Sequence, residues 1–200
     1  MNVVFDLGGV LVAWDPDAIA ERAFPDRQEA DRVKRDVLRH ADWLEADRGL
    51  LSFDALIDRA AARTSLTVES IRMLIDTVPT TMIAVQPMVE MLYRVKRAGH
   101  HAYCLSNMPS ETLGYLRRTH SFWDAFSGCV ISCEVGHCKP ESAIYEYLLR
   151  TCGLDAAETL FIDDMLVNVE AAAKLGIRPL HFKDPARTEA ALILMGVLDG

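Results

Sequence analysis

The sequence predicts an α/β fold: a Rossmann-like open parallel sheet flanked by helices, with an inserted all-helical cap. Three observations carry this. The second half of the chain repeats one unit, a helical stretch that ends in Gly and is followed by an apolar strand. The segment 15–85 shows helical spacing and no such strand. Polar side chains stand directly after apolar runs at four separate places.

The elements follow in order. Val3, Val4 and Phe5 form a short apolar strand that runs into Asp6 and the pair Gly8 and Gly9. Helices are expected over 29–39, 53–63 and 68–78; Phe53, Leu56, Ile57 and Ala60 fall on one helical face, and Pro79 is expected to end the last helix. Beyond that, the stretch 87–98 stops at Gly99 before a strand at 101–105. A strand is read at 129–131. The stretch 142–152 stops at Gly153 before a strand at 159–162, and 168–175 stops at Gly176 before 177–180. Glycine just past a helix is the common left-handed stop, and helix–strand alternation implies right-handed parallel crossovers. The expected division is a core of 1–14 and 86–200 with a helical cap of 15–85.

Bulk properties narrow the function. With 21 basic and 29 acidic residues the net charge is -8, which argues against a nucleic-acid binder or a partner at an anionic membrane surface. No apolar run approaches the roughly 18–20 residues that span a bilayer. Met1 leads straight into the first strand without a signal-like segment, and the five cysteines are an odd number. Both point to a cytoplasmic location with free thiols. Nothing in the sequence sets the oligomeric state.

The post-strand polar groups are Asp6, Ser106 with Asn107, Lys139, and Asp163 with Asp164. In an open parallel sheet, ligands bind at the carboxyl ends of the strands, so these groups are expected to converge. Their chemistry is complementary. Asp6 and Asp164 can share a hard cation with the oxygen preference of Mg²⁺. Ser106 can donate to a phosphoryl oxygen, and Lys139 supplies a point charge that also balances Asp6. A carboxylate is a competent covalent nucleophile for phosphoryl transfer. Asn168, one helical turn past Asp164, can orient a metal ligand.

Four motifs in order, DLGGV at 6–10, LSN at 105–107, CKP at 138–140 and FIDDMLVN at 161–168, make the chain resemble the haloacid dehalogenase-like (HAD) hydrolase superfamily. Within it, the chain is similar to sugar-phosphate phosphatases with a small helical cap. The resemblance implies a Mg²⁺-dependent phosphatase acting on a small phosphorylated metabolite through an aspartyl-phosphate. Asp6 would be the nucleophile. Ser106, Asn107, Lys139 and Gly8 would meet substrate, and Asp6, Asp164, Asp163 and the Gly8 carbonyl would meet the metal. The chain departs from the family at Gly8, where phosphatases usually carry a second Asp that serves as general acid and base. A dehalogenase, with Asp6 displacing halide from carbon, is a second reading, though the Asp163–Asp164 pair speaks against it. A phosphate-binding regulatory protein without turnover is a third.

The remaining residues carry weaker signals. Asp15 stands where the chain enters the cap and is a candidate substitute acid. Cys129, Cys133, His137 and Cys138 do not have the spacing of a structural zinc site. Trp43 and Trp123 are expected to pack, and the acidic cluster of Glu45 and Asp47 to face water.

Overall fold

A computed structural model describes residues 1–199. Its centre is a five-stranded sheet in the order β3-β2-β1-β4-β5, with β1 at Asn2–Phe5, β2 at His101–Ser106, β3 at Gly128–Ile131, β4 at Thr159–Asp163 and β5 at Arg178–His181. Every pairing is parallel. β1 is therefore central, and its residues Val3, Val4 and Phe5 are fully buried, as a strand covered on both faces requires. Phe5 stands opposite Cys104 on one side and Ile162 on the other. That register brings Asp6, Ser106 and Asp163 to one edge of the sheet. The chain passes from β3 across to β4, which makes the β1/β4 boundary a topological switch point, the place where open α/β sheets bind ligands.

Between β1 and β2 lie α1 (Pro16–Ala23), α2 (Arg27–Val33), α3 (Ala41–Asp47), α4 (Phe53–Thr64), α5 (Val68–Thr81) and α6 (Gln86–Arg97). The chain enters and leaves the α1–α5 segment through a narrow neck. Ala13 N–H donates to the Ile83 carbonyl at 2.8 Å and Val85 N–H to the Leu11 carbonyl at 2.9 Å. The segment has no separate core: Leu56, Ile57, Ile71, Leu74 and Ile75 belong to the same buried cluster as Val3 and Phe5. The remaining helices are α7 (Ser110–Thr119), α8 (Ser132–Val135), α9 (Ser142–Cys152), α10 (Leu166–Lys174) and α11 (Pro185–Leu194). No described helix is long and apolar enough to cross a membrane.

Two expectations need correction. Pro79 does not end α5, which runs on to Thr81. The proline removes only the bond to the Ile75 carbonyl, and the helix end closes through Met82 N–H donating to the Pro79 carbonyl at 3.3 Å. The helix expected over 29–39 is instead α2 followed by a π turn at Lys34–Leu38. Such turns redirect a helix, often beside a site, and this one delivers Leu38, Arg39 and His40 to the central cavity.

The helical segment is tied together by Asp42, whose side chain is 11% exposed. Its carboxylate accepts from Arg63 at 2.9 Å and from Arg59 at 3.4 Å, joining α3 to α4. Burial works against its ionisation, but Arg63 outweighs that and holds the carboxyl below its ordinary value. Asp42→Ala should cost about 1–3 kcal/mol by removing the partner of Arg63 Nη1, read as a lower midpoint in denaturant unfolding. A depressed carboxyl contributes stability above its unfolded pKa of about 4 and loses it below. The difference between wild type and variant should therefore shrink as the pH falls through 4.

Candidate active site

At the carboxyl edge of the sheet the side chains of Asp6, Asp163 and Asp164 approach closely enough for one ligand atom from each to lie within 4.8 Å of the others. Three carboxylates buried together would repel one another without a cation. Lys139, from the loop before α9, supplies it: Nζ lies 2.8 Å from Asp6 Oδ1 and 2.7 Å from Asp163 Oδ2 and donates its third bond to the Leu105 carbonyl at 3.0 Å. All three ammonium donors are thus used. Burial alone would lower the Lys139 pKa; the two carboxylates outweigh it and raise it. Asp6 shows the opposite balance, with burial pushing its carboxyl up against the pull of Lys139.

The supporting residues divide the labour. Asn107 grips the Lys139 main chain from both ends, its Oδ1 accepting from Lys139 N–H at 2.8 Å and its Nδ2 donating to the Lys139 carbonyl at 2.9 Å. Asp163 is fully buried and its oxygens are occupied by Lys139, by Asn168 Nδ2 at 3.0 and 3.1 Å and by Met165 N–H at 2.8 Å. Asp164 is half-buried, its carboxyl raised by burial and then by Asp163. Asp6 Oδ1 also accepts from Leu7 N–H at 2.7 Å, which fixes the carboxylate plane. The donor set of Asp6 and Asp164, all hard oxygen, suits a Mg²⁺ ion, whereas Asp163 is engaged by the protein and stands behind it. Gly9 is needed where it is: its φ is +76°, and a Cβ there would lie 2.5 Å from Asp164 Oδ2.

Above this floor opens a cavity of about 400 Å³, within the range of small-molecule sites. Asp6, Gly8, Ser106, Asn107, Lys139, Asp164 and Asn168 line its base. The sequence-selected residues thus meet in one place. The upper wall is largely apolar: Trp14, Leu38, Trp43, Leu44, Met82, Met108, Met165 and Val167. The rings of Trp14 and Trp43 are 5.8 Å apart and tilted, and Trp43 also meets Phe53 at 6.2 Å. Thr112, from α7, faces the cavity with a buried Oγ1 that has no partner among the described residues.

Several expectations change here. Asp15 does not reach the cavity; it is exposed and caps α1, accepting from Asp17 and Ala18 N–H at 3.0 Å. Asp47 does not face water. It is 9% exposed, lines the cavity, and burial raises its carboxyl to about 8, with Asp6 adding to the shift and Lys139 opposing it. Trp43 packs as expected but also forms cavity wall. The five cysteines are free, and His137 is exposed. Arg39 and His40 line the cavity as well. The sequence signal for α3 and its flanks was poor: its N-cap is a histidine, His40, and its charged residues read as a solvated face.

Comparison with known proteins agrees with this arrangement. The profile of the haloacid dehalogenase-like hydrolases matches residues 1–176. A sesquiterpene phosphatase of Aspergillus oryzae is 30% identical over 188 residues, covering 92% of this chain and 91% of that protein. A D-ribitol-5-phosphate phosphatase of Bacteroides thetaiotaomicron is 25% identical over 209 residues, covering 96% of this chain and 98% of that protein. Among solved structures, a HAD family enzyme of Bacteroides thetaiotaomicron in complex with magnesium and inorganic phosphate superposes with a TM-score of 0.71 at 24% identity, over 91% of this chain and 93% of that one. With the four motifs gathered at the carboxyl edge of one parallel sheet and a family match over nearly its whole length, this chain belongs to the haloacid dehalogenase-like hydrolases.

Proposed function

We propose that this chain is a Mg²⁺-dependent phosphatase that hydrolyses the phosphate monoester of an apolar alcohol of terpenoid type. The observation that carries the substrate class is the upper wall of the cavity, where Trp14, Leu38, Trp43 and Met82 surround the space above Asp6. A sugar phosphate, the substrate class implied by the family resemblance, would need several polar partners for its hydroxyls. Against eight apolar side chains the wall sets Arg39, His40, Asp47 and Thr112, and burying unpaired hydroxyls on its apolar part is costly. The unpartnered Thr112 hydroxyl can orient one polar atom within an otherwise apolar site. The sesquiterpene phosphatase at 30% identity supports the same reading.

In this mechanism the apolar wall holds the alcohol portion and points the phosphate at the floor. Ser106 donates to a phosphoryl oxygen. An Asp6 carboxylate oxygen attacks phosphorus and forms an aspartyl-phosphate, which water then cleaves. Lys139 favours the ionised form of Asp6 against burial and lends positive charge to the floor, although its three N–H bonds are spent on Asp6, Asp163 and Leu105. Asn107 positions Lys139 through its main chain. Asp6, Asp164 and the Gly8 carbonyl are the groups that would hold Mg²⁺, which neutralises charge on the phosphoryl oxygens when bound. Asp163 and Asn168 keep the Lys139 ammonium and the start of α10 in place.

Four outcomes test this. Asp6→Asn should retain the fold by circular dichroism and lose turnover of phosphate esters by roughly 10³-fold or more, since an amide is a poor nucleophile. Wild-type rates in that variant would overturn the reading. Chelation should abolish activity and Mg²⁺ restore it, and Asp164→Asn should raise the Mg²⁺ concentration for half-maximal rate by roughly tenfold or more; halide release from 2-chloropropionate in excess chelator, without phosphatase activity, would point instead to a dehalogenase. Farnesyl phosphate should be turned over with a kcat/KM at least roughly tenfold above those of glucose 6-phosphate and ribitol 5-phosphate. Trp43→Ala should raise KM for farnesyl phosphate more than for phenyl phosphate, because less apolar area is lost to the smaller ester.

A further inference from the structure

The family motif leaves one role empty in this chain. Gly8 has no side chain to protonate a leaving group, and Asp15 points to solvent. Resting on the phosphatase reading above, we propose that Asp47, delivered by the end of α3, is the general acid–base of this enzyme. Its carboxyl gives a proton to the ester oxygen as the Asp6–phosphorus bond forms and the phosphorus–alcohol bond breaks. The resulting Asp47 carboxylate then takes a proton from the water whose oxygen bonds to phosphorus as the Asp6–phosphorus bond breaks. Phosphate leaves, Asp6 returns to its carboxylate and Asp47 to its acid.

The geometry supports this in three ways. First, the cavity is lined by three carboxyl groups, Asp6, Asp164 and Asp47. The first two belong to the charged floor, and Asp47 alone comes from the segment that covers it. Second, Asp47 is anchored to the core rather than to the loose side of its helix. Its main-chain carbonyl accepts from Ser132 Oγ at 2.5 Å, and Ser132 Oγ in turn accepts from Met108 N–H at 2.8 Å, two residues past Ser106. The next residue, Arg48, pairs with Glu141. Gly49, at φ +73°, lies so close to the core that a Cβ would come within 2.7 Å of the Cys133 carbonyl. These contacts hold Asp47 against the phosphate floor. Third, the Asp47 carboxyl is buried and makes no hydrogen bond among the described residues; the charged and titratable groups around it are Asp6, Lys139, Cys133, Cys138 and Arg48. Burial favours the neutral acid, the form needed to donate. A Cβ at Gly8 would make ordinary van der Waals contact with the Trp14 side chain, 3.6 Å from its Cβ.

The test is a leaving-group series, from 2,4-dinitrophenyl phosphate through phenyl phosphate to alkyl phosphates, on wild type, Asp47→Asn and His40→Gln. His40 is included because it is the other titratable cap side chain on the cavity. Wild type should show a shallow dependence of kcat/KM on leaving-group basicity. Asp47→Asn should lose roughly 10²–10⁴-fold on alkyl phosphates and less than about tenfold on the dinitrophenyl ester, whose leaving group needs no proton; retention of that rate reports an intact fold and nucleophile. Asp47→Ser carries the same expectation and serves if the Asn variant does not fold. An equal loss across the series, no loss, or a steepened series in His40→Gln alone would overturn the assignment of Asp47 while leaving the phosphatase reading intact. A wild type inactive on every ester, the dinitrophenyl one included, would overturn both.

Discussion

The Lys139 ammonium is the interaction on which the site depends. It sits between Asp6 and Asp163, is itself buried, and uses all three donors within the protein. Without it, two carboxylates at adjacent strand ends would share a low-dielectric pocket, and burial would drive one of them to its neutral form. Removing one partner from such a buried set generally costs about 3–5 kcal/mol. Much of the surrounding polar structure holds this cation in place. Asn107 clamps its main chain, Asn168 and Met165 N–H fix Asp163, and the Tyr145 hydroxyl donates to the Asn168 carbonyl at 3.0 Å. Lys139 is thus first of all a structural member of the floor.

A second constraint is the contact between the helical segment and the core. One buried cluster runs through both, so the helices above the sheet do not form an independent body. The neck at Ala13 and Ile83 and the docked Asp47–Arg48–Gly49 turn hold the segment at two points. Between them lies a cavity with a charged floor and an apolar ceiling. This polarity is a physical basis for selectivity. On the proposed function, the floor would meet a phosphate whatever its ester, while the ceiling would reward apolar surface and penalise unpaired hydroxyls.

Much of the floor was legible in the sequence because strand ends obey simple rules. An apolar run buried on both faces must be followed by the residues that line its carboxyl edge, and Asp6, Ser106 and Asp163 stand there. Lys139 was legible through its motif, although its engagement with Asp163 was not, since a lysine's partners depend on neighbours far apart in the chain. Asn107 was expected to meet substrate; both ends of its amide are taken by the Lys139 main chain. The helical segment was harder. Helix α3 has a histidine cap and only seven residues, and α1 has eight, so periodicity was weak in both. The π turn at Lys34–Leu38 has no sequence signature, and Pro79 sits close enough to the end of α5 that its cost is one bond.

The sequence by itself determined the parallel sheet, the helical insertion and the identities of the charged groups at the strand ends. These follow from local periodicity and from the rule that strand ends carry the chemistry in such sheets. Only the tertiary structure decided what surrounds them. Asp47 reads as one more acid on a solvated helix until Ser132 and Gly49 draw its end against the core and bury it. Trp43 reads as packing until its approach to Trp14 shows both walling a cavity. Burial and proximity between segments far apart in the chain are properties of the folded packing, and they set both the carboxyl's protonation and the polarity of the wall.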